Sequence, residues 1–197
     1  MLGLTVDIDA LQRMADAVAA TEGQFLKARD SALRKIRQPV RRAVLREVAK
    51  EKRVPQKSLE GRVFMSDVRE DAVRLWFGTW DLSLFEIGSP KQTKTGVTVG
   101  RHRYPGAFKA KIYSPDEQVW IRLHSRHYSP DLYPTRYRPG DRGIGRSRGR
   151  FPVVRAAIPI DGIVERVLER SGETFERRFM EIFAQELNYF VNVKGGA

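Results

Sequence analysis

A chain of 197 residues is long enough to bury a core of its own and reads as one domain. Its 36 Lys and Arg against 24 Asp and Glu leave a net charge of +12, which points to a polyanion (nucleic acid, an anionic membrane surface or an acidic protein), the plain alternative being a basic protein with no nucleic-acid role. The lack of cysteine excludes disulfides and thiolate metal sites, charges interrupt every apolar run well short of the ~20 residues of a membrane span, and Met1–Asp9 has neither the basic nor the apolar region of a signal peptide.

In chain order, Asp7 or Asp9 can cap a helix whose apolar positions Ile8, Leu11, Met14, Ala15 and Val18 recur at helical spacing. Gly23 is a point of loosening. Phe25, Leu26, Ala28, Ala32, Leu33 and Ile36 then carry the pattern to Pro39, where a kink or restart is expected because proline removes a backbone donor. Val40, Ala43, Val44 and Val48 resume it, with Arg41, Arg42, Arg46 and Lys50 largely opposite. Lys27 to Arg53 holds eleven basic and three acidic residues, either a solvated helix face or a surface for phosphates. Pro55 to Gly61 reads as a short helical connector.

Two strand-like stretches follow, 62–67 and 71–77, separated by a charged turn and plausible as a hairpin. Leu82, Leu84 and Ile87 alternate with polar residues and predict a further strand up to the Gly88-Ser-Pro90 break. Trp76, Phe77, Trp80 and Phe85 are read as core or inter-subunit packing and not as a platform for bases, since their neighbours are mostly apolar or acidic. Gly96 to Ile112 predicts two strands around a basic loop. There Arg101, His102 and Arg103 are candidate contact residues, and Tyr104-Pro105-Gly106 has the chemistry of a type II turn.

Gln118 to Leu123 adds an alternating strand, after which 124–150 loses all periodicity. Arg136, Arg138, Arg142, Arg146, Arg148 and Arg150, with Asp141 as the single acid among them, are nucleic-acid-facing candidates on a long loop. The competing reading gives them carboxylate partners on a neighbouring subunit. Phe151 to Pro159 is extended, Asp161 can cap, and Ile163, Val164, Val167, Leu168, Phe175, Phe179, Ile182, Phe183, Leu187 and Phe190 trace the stripe of a terminal helix with Ser171-Gly172 as its weak point. The class is therefore α+β: N-terminal helices, a central, mostly antiparallel sheet of about five strands with a long basic loop, and a C-terminal amphipathic helix. Within the single domain, 1–53 is the basic helical region, 62–160 the sheet and 161–191 the terminal helix.

Little in the chain suggests catalysis. Gly143, Gly145 and Gly149 have the wrong spacing for a dinucleotide fingerprint, and His124 and His127 lack the carboxylates a metal site would want. Ser125 and Ser129 sit in no nucleophile elbow. No catalytic residue, metal or cofactor is assigned.

Arg41-Arg-Ala-Val-Leu-Arg-Glu-Val-Ala49, Val54-Pro-Gln-Lys-Ser-Leu59, Gly100-Arg-His-Arg-Tyr-Pro-Gly-Ala-Phe108, Val119-Trp-Ile-Arg122 and Phe151-Pro-Val-Val-Arg-Ala-Ala-Ile-Pro159 occur in that order ahead of a terminal helix. This series resembles the minor tail protein Z family of tailed bacteriophages, the tail completion proteins, over roughly residues 25 to 190. The insertion at about 124 to 150 departs from the family pattern. The resemblance implies a non-enzymatic virion component at the head-proximal end of the tail, made in the host cytoplasm. It also implies self-association in a closed ring, with six-fold symmetry expected, and other tail and head-tail connector proteins as partners. Packaged double-stranded DNA is a candidate partner and a membrane is not. The alternative function is a sequence-independent nucleic-acid-binding protein.

Overall fold

The computed structural model describes residues 8–67, 72–112, 115–130, 133 and 152–194. The chain is α+β, as expected, and groups into two compact units: Met1–Val48, Leu59–Gly78 and Gly162–Ala197 in one, Ala49–Ser58 and Thr79–Asp161 in the other.

In the first unit, α1 (Ile8–Ala17) ends in a Schellman turn: the Ala20 N–H reaches the Ala15 carbonyl and the Ala19 N–H that of Asp16, with Ala19 left-handed at φ 50°. The chain restarts through a capping box. Thr21 N–H donates to Gln24 Oε1 at 2.8 Å and Gln24 N–H to Thr21 Oγ1 at 3.3 Å, so the break falls just before Gly23. Helix α2 (Glu22–Lys52) then runs on through Pro39, so of the two alternatives there, a kink or a restart, the restart does not occur; the proline stands on its exposed side. Its buried positions Ala28, Ala32, Ile36, Val40, Val44 and Val48 step by four residues.

Helix α4 (Ile163–Asn188) starts from Gly162 at φ 63° with no side-chain cap, which corrects the capping role expected of Asp161. A left-handed glycine at that position turns the chain into the helix without a cap. The helix is unbroken through Ser171-Gly172 and buries Phe175, Phe179, Ile182, Phe183 and Leu187. Its end winds into a π turn, Tyr189–Val193, closed by the Lys194 N–H on the Tyr189 carbonyl. Phe25 of α2 meets Phe183 edge-on with ring centroids 5.8 Å apart. Ser31 and Lys35, one turn apart on α2, both donate to the buried carboxylate of Glu186. Burial alone would push that carboxyl up, but the hydrogen bonds from Lys35 and Ser31 and the charge of Lys35 outweigh it and hold Glu186 below its ordinary value.

The expected hairpin forms from β1 (Val63–Met65) and β2 (Leu75–Phe77), with Val63 opposite Phe77 and Phe64 opposite Trp76. Phe64 and Trp76 are 57% and 53% exposed and touch at 5.5 Å, and Trp80 and Phe85 are also exposed. For Trp76, Trp80 and Phe85 this corrects the core alternative and leaves that of inter-subunit packing, while Phe77 is half-buried. Each strand is a continuous apolar triplet, so composition could not say which residue faces out.

In the second unit, the last turn of α2 closes on another Schellman turn, with Arg53 at φ 54° and the Val54 N–H on the Ala49 carbonyl at 3.0 Å. After β3 (Leu82–Ser83) comes one turn of helix, α3 (Leu84–Ile87), where a strand was expected. Ser83 and Glu86 form a capping box, and the satisfied first-turn donors favour helix over the alternating pattern.

Strands β4 (Lys91–Thr93), β5 (Gly96–Val99) and β6 (His102–Pro105) make one antiparallel meander, and β7 (Phe108–Ala110), β8 (Gln118–Arg122) and β9 (Val153–Arg155) another. Strand β10 (Ala157–Ile158) pairs with β3. Among the described residues, ten short strands thus lie in four small sheets, where a single sheet of about five was expected. Local alternation marks strands and carries no information on which of them pair.

The type II turn is present: the Ala107 N–H bonds the Tyr104 carbonyl at 3.3 Å and Gly106 takes φ 72°. It hands the chain from one meander to the next and does not cap a hairpin. A Cβ on Gly106 would also lie 2.8 Å from the His127 ring, so glycine is required there twice over. The Gln92 side chain ties the two meanders, its Oε1 accepting from Lys109 N–H at 2.9 Å and its Nε2 donating to the Ala107 carbonyl at 3.4 Å.

Candidate nucleic-acid interface

The β4–β5–β6 meander has one buried and one exposed face because successive side chains alternate. Val97, Val99 and Tyr104 fill the buried face. Lys91, Thr98 and Arg103 form a cross-strand row on the other, with the two cations about 10 Å apart across two strand spacings. Lys94 stands in the β4–β5 turn and Arg101 in the β5–β6 turn, where Gly100 takes φ 54°. All four cations are exposed, and among the described residues none of their side chains meets a carboxylate.

The sequence explains why. Between Glu86 and Asp116 there is no Asp or Glu, while Lys91, Lys94, Arg101, Arg103, Lys109 and Lys111 fall inside that interval. Lys109 alone of these reaches out to an acid, Glu117, at 2.8 Å. Among the described residues the remaining cations face solvent with no acid partner, a local excess of positive charge of the kind that attracts anions. Lys91 and Lys94 were missed by motif reading; the acid-free interval was the signal that would have found them.

The predicted loop residues separate. Arg101 occupies a tight turn and Arg103 the exposed row, whereas His102 pairs with Val99, turns to the opposite face and stands 3.3 Å from the Arg53 carbonyl. His102 is therefore a positioning contact on the helix end and leaves the cationic surface to the arginines. Arg136, Arg138, Arg142, Arg146, Arg148 and Arg150 lie outside the described residues.

The segment after β8 folds back on the Pro-Gly turn. The Tyr133 hydroxyl donates to the Pro105 carbonyl at 2.8 Å, and the Tyr133 ring lies 5.8 Å from that of Tyr104 and 6.2 Å from that of Tyr128. Burial pushes the Tyr133 phenol up to about 12; burial and then the neighbouring Tyr133 raise Tyr104. Both stay protonated, so the Tyr133 donor is permanent and braces the turn beneath the cationic face.

His124 and His127 gather no further ligands; among the described residues no three His, Asp or Glu side chains are grouped to hold a metal. Arg126 Nε donates to His127 Nε2 at 3.2 Å, and the Ser125 Oγ accepts the His127 N–H, so these side chains build a turn.

Pro-Gly-Ala-Phe leads into β7 through Phe108, Val-Trp-Ile-Arg lies in β8 and Val-Val-Arg forms β9, so that Phe108, Trp120 and Arg155 stand in one row. Trp120 is 1% exposed and donates from Nε1 to the Ala110 carbonyl at 3.0 Å. No protein-family model, curated protein or solved structure matches the chain.

Proposed function

We propose that the chain is a non-enzymatic virion structural protein of the tail-completion kind, acting at the head-proximal end of a bacteriophage tail as one member of a closed ring. The observation that supports this reading is the β7–β8–β9 sheet. Unrelated short matches would scatter over a fold, whereas Phe108 of the first motif and Arg155 of the last both stand opposite the buried Trp120 of the central strand. Tail and connector proteins are the partners of this reading, with six-fold symmetry the simplest ring for a heterologous interface on a hexameric tube.

Native mass measurement of the purified chain and of particles tests it. A ring, together with the chain in mature particles near the head, is expected; an isologous dimer as the largest species under all conditions, and absence from particles, would overturn it.

The acid-free face of the β4–β5–β6 meander favours a second reading, a sequence-independent nucleic-acid-binding protein. Lys91→Gln, Arg101→Gln and Arg103→Gln together should weaken binding to all duplex sequences alike and lower the salt slope by up to ~0.9 per lost contact. An unchanged slope would remove this face from consideration.

A further inference from the structure

The exposed side of α2 is a second cationic surface, built differently from the first. Arg34, Gln38, Arg42 and Arg46 are all exposed and step by four residues, as the buried positions do, but offset by two. Two residues turn an α-helix through about 200°, so this ridge stays opposite the buried one along its whole length. Successive positions rise about 6 Å along the axis. Among the described residues Arg34 and Arg42 meet no carboxylate, and Arg46 and Arg170 share Glu47 at 3.4 and 3.7 Å.

A basic ridge on a long helix is ordinarily a solvated surface, and the same unit contains the comparison that decides against this. Helix α4 is also long and also exposes one side, yet it carries four arginines against six glutamates, while α2 carries ten basic residues against four acidic. Solubility is met on α4 with balanced charge, such as the Arg178–Glu181 pair at 2.6 Å. The excess on α2 is therefore not a general property of this protein's helix surfaces. Three arginines on one gently winding ridge, about 12 and 6 Å apart along the axis, fit an extended array of negative charge, as a duplex phosphodiester backbone presents. Arginine suits this role because its charge is permanent and its donors match phosphate geometry.

We propose that the Arg34–Arg42–Arg46 ridge of α2 is a sequence-independent contact for the backbone of duplex nucleic acid. The proposal stands apart from the tail-completion reading and from the sheet face. Its test uses the full chain carrying Arg34→Gln, Arg42→Gln and Arg46→Gln, with random-sequence duplex DNA titrated by fluorescence anisotropy over a range of salt.

The expected result is a uniform loss of affinity across sequences and a log–log salt slope shallower by up to ~2.7, or ~0.9 for each contact. Between about 50 and 200 mM salt the variant should then lose roughly 40-fold less affinity than the parent. Arg34→Lys, Arg42→Lys and Arg46→Lys together should restore most of the slope, which a folding defect would not allow. An unchanged slope overturns the proposal. So does a polyglutamate peptide that competes as well as DNA at equal charge, which would assign the ridge to an acidic protein. Incorporation of the Gln variant into particles is scored separately, so loss of DNA contact and loss of assembly remain distinguishable.

Discussion

Helix α4 and all but the last turn of α2 lie in the same unit and bury themselves by different means. Helix α4 presents Phe175, Phe179 and Phe183 to the core, while the matching half of α2 offers Ala28 and Ala32, with Phe25 reaching the Phe183 edge. Large rings supply the apolar area and small side chains let the backbone approach. Their outer sides differ too: α4 is electrically balanced, whereas α2 carries a cationic excess and an internal proline. One helix is built for stability, and the other tolerates features that cost stability.

The largest effect should come from removing a ring. Phe183→Ala, at a position with 0% exposure, should destabilise the chain by about 3–5 kcal/mol in denaturant melts. A loss under ~1 kcal/mol would show that the core does not depend on α4 aromatics.

Next, Pro39→Ala restores a donor inside α2 at an exposed position and should stabilise by up to ~3 kcal/mol. No gain would mean that α2 is as well fitted to its helix as α4.

The Glu186 carboxylate, which joins the two helices, should give about 1–2 kcal/mol. Its folded pKa lies below the unfolded value, so its contribution is present above the ordinary carboxylate range and is lost as pH falls through the folded value. Thermal melts of Glu186→Gln should be less stable near neutrality and lose less on acidification than the parent. Parallel curves would remove the linkage.

The smallest effects concern glycine and its absence. Gly172→Ala, inside α4 with open space around the added carbon, should stabilise by about 0.5–1 kcal/mol. Ala19→Gly, at the left-handed end of α1, should gain about 1 kcal/mol. Exchanges in opposite directions, Gly to Ala in one place and Ala to Gly in the other, should both raise stability in melts, and a loss from either would overturn its account.

Much of this was legible in the residues. The apolar stripes of α1, α2 and α4, the β1–β2 hairpin, β8 and the type II turn at Pro105-Gly106 all follow from local periodicity and turn chemistry. The helix ends were harder, because α1 and α2 close on Ala19 and Arg53 where a glycine would have announced the stop. Ser83 and Glu86 did carry the capping-box signal, and the alternation of Leu82, Leu84 and Ile87 hid it. Strand pairing, including the Gln92 link between meanders, depends on long-range geometry that periodicity does not encode. Of the candidate residues, Arg101 and Arg103 stand exposed on the meander, His102, named with them, turns to the Arg53 carbonyl, and Lys91 and Lys94 required noticing which residue types were missing.

The first unit is discontinuous, drawing its members from 1–48, 59–78 and 162–197. During synthesis at roughly 5–20 residues per second, α2 emerges many seconds before the α4 segment that supplies Phe179, Phe183 and Glu186. The second unit is mostly one continuous stretch, and its strands β3 to β10 are all made before α4 begins. Nascent α2 must wait for the part of its core that α4 supplies. The small Ala28 and Ala32, and the mutual repulsion of a strongly basic helix, are well suited to keeping such a chain from associating with its neighbours on the same polysome.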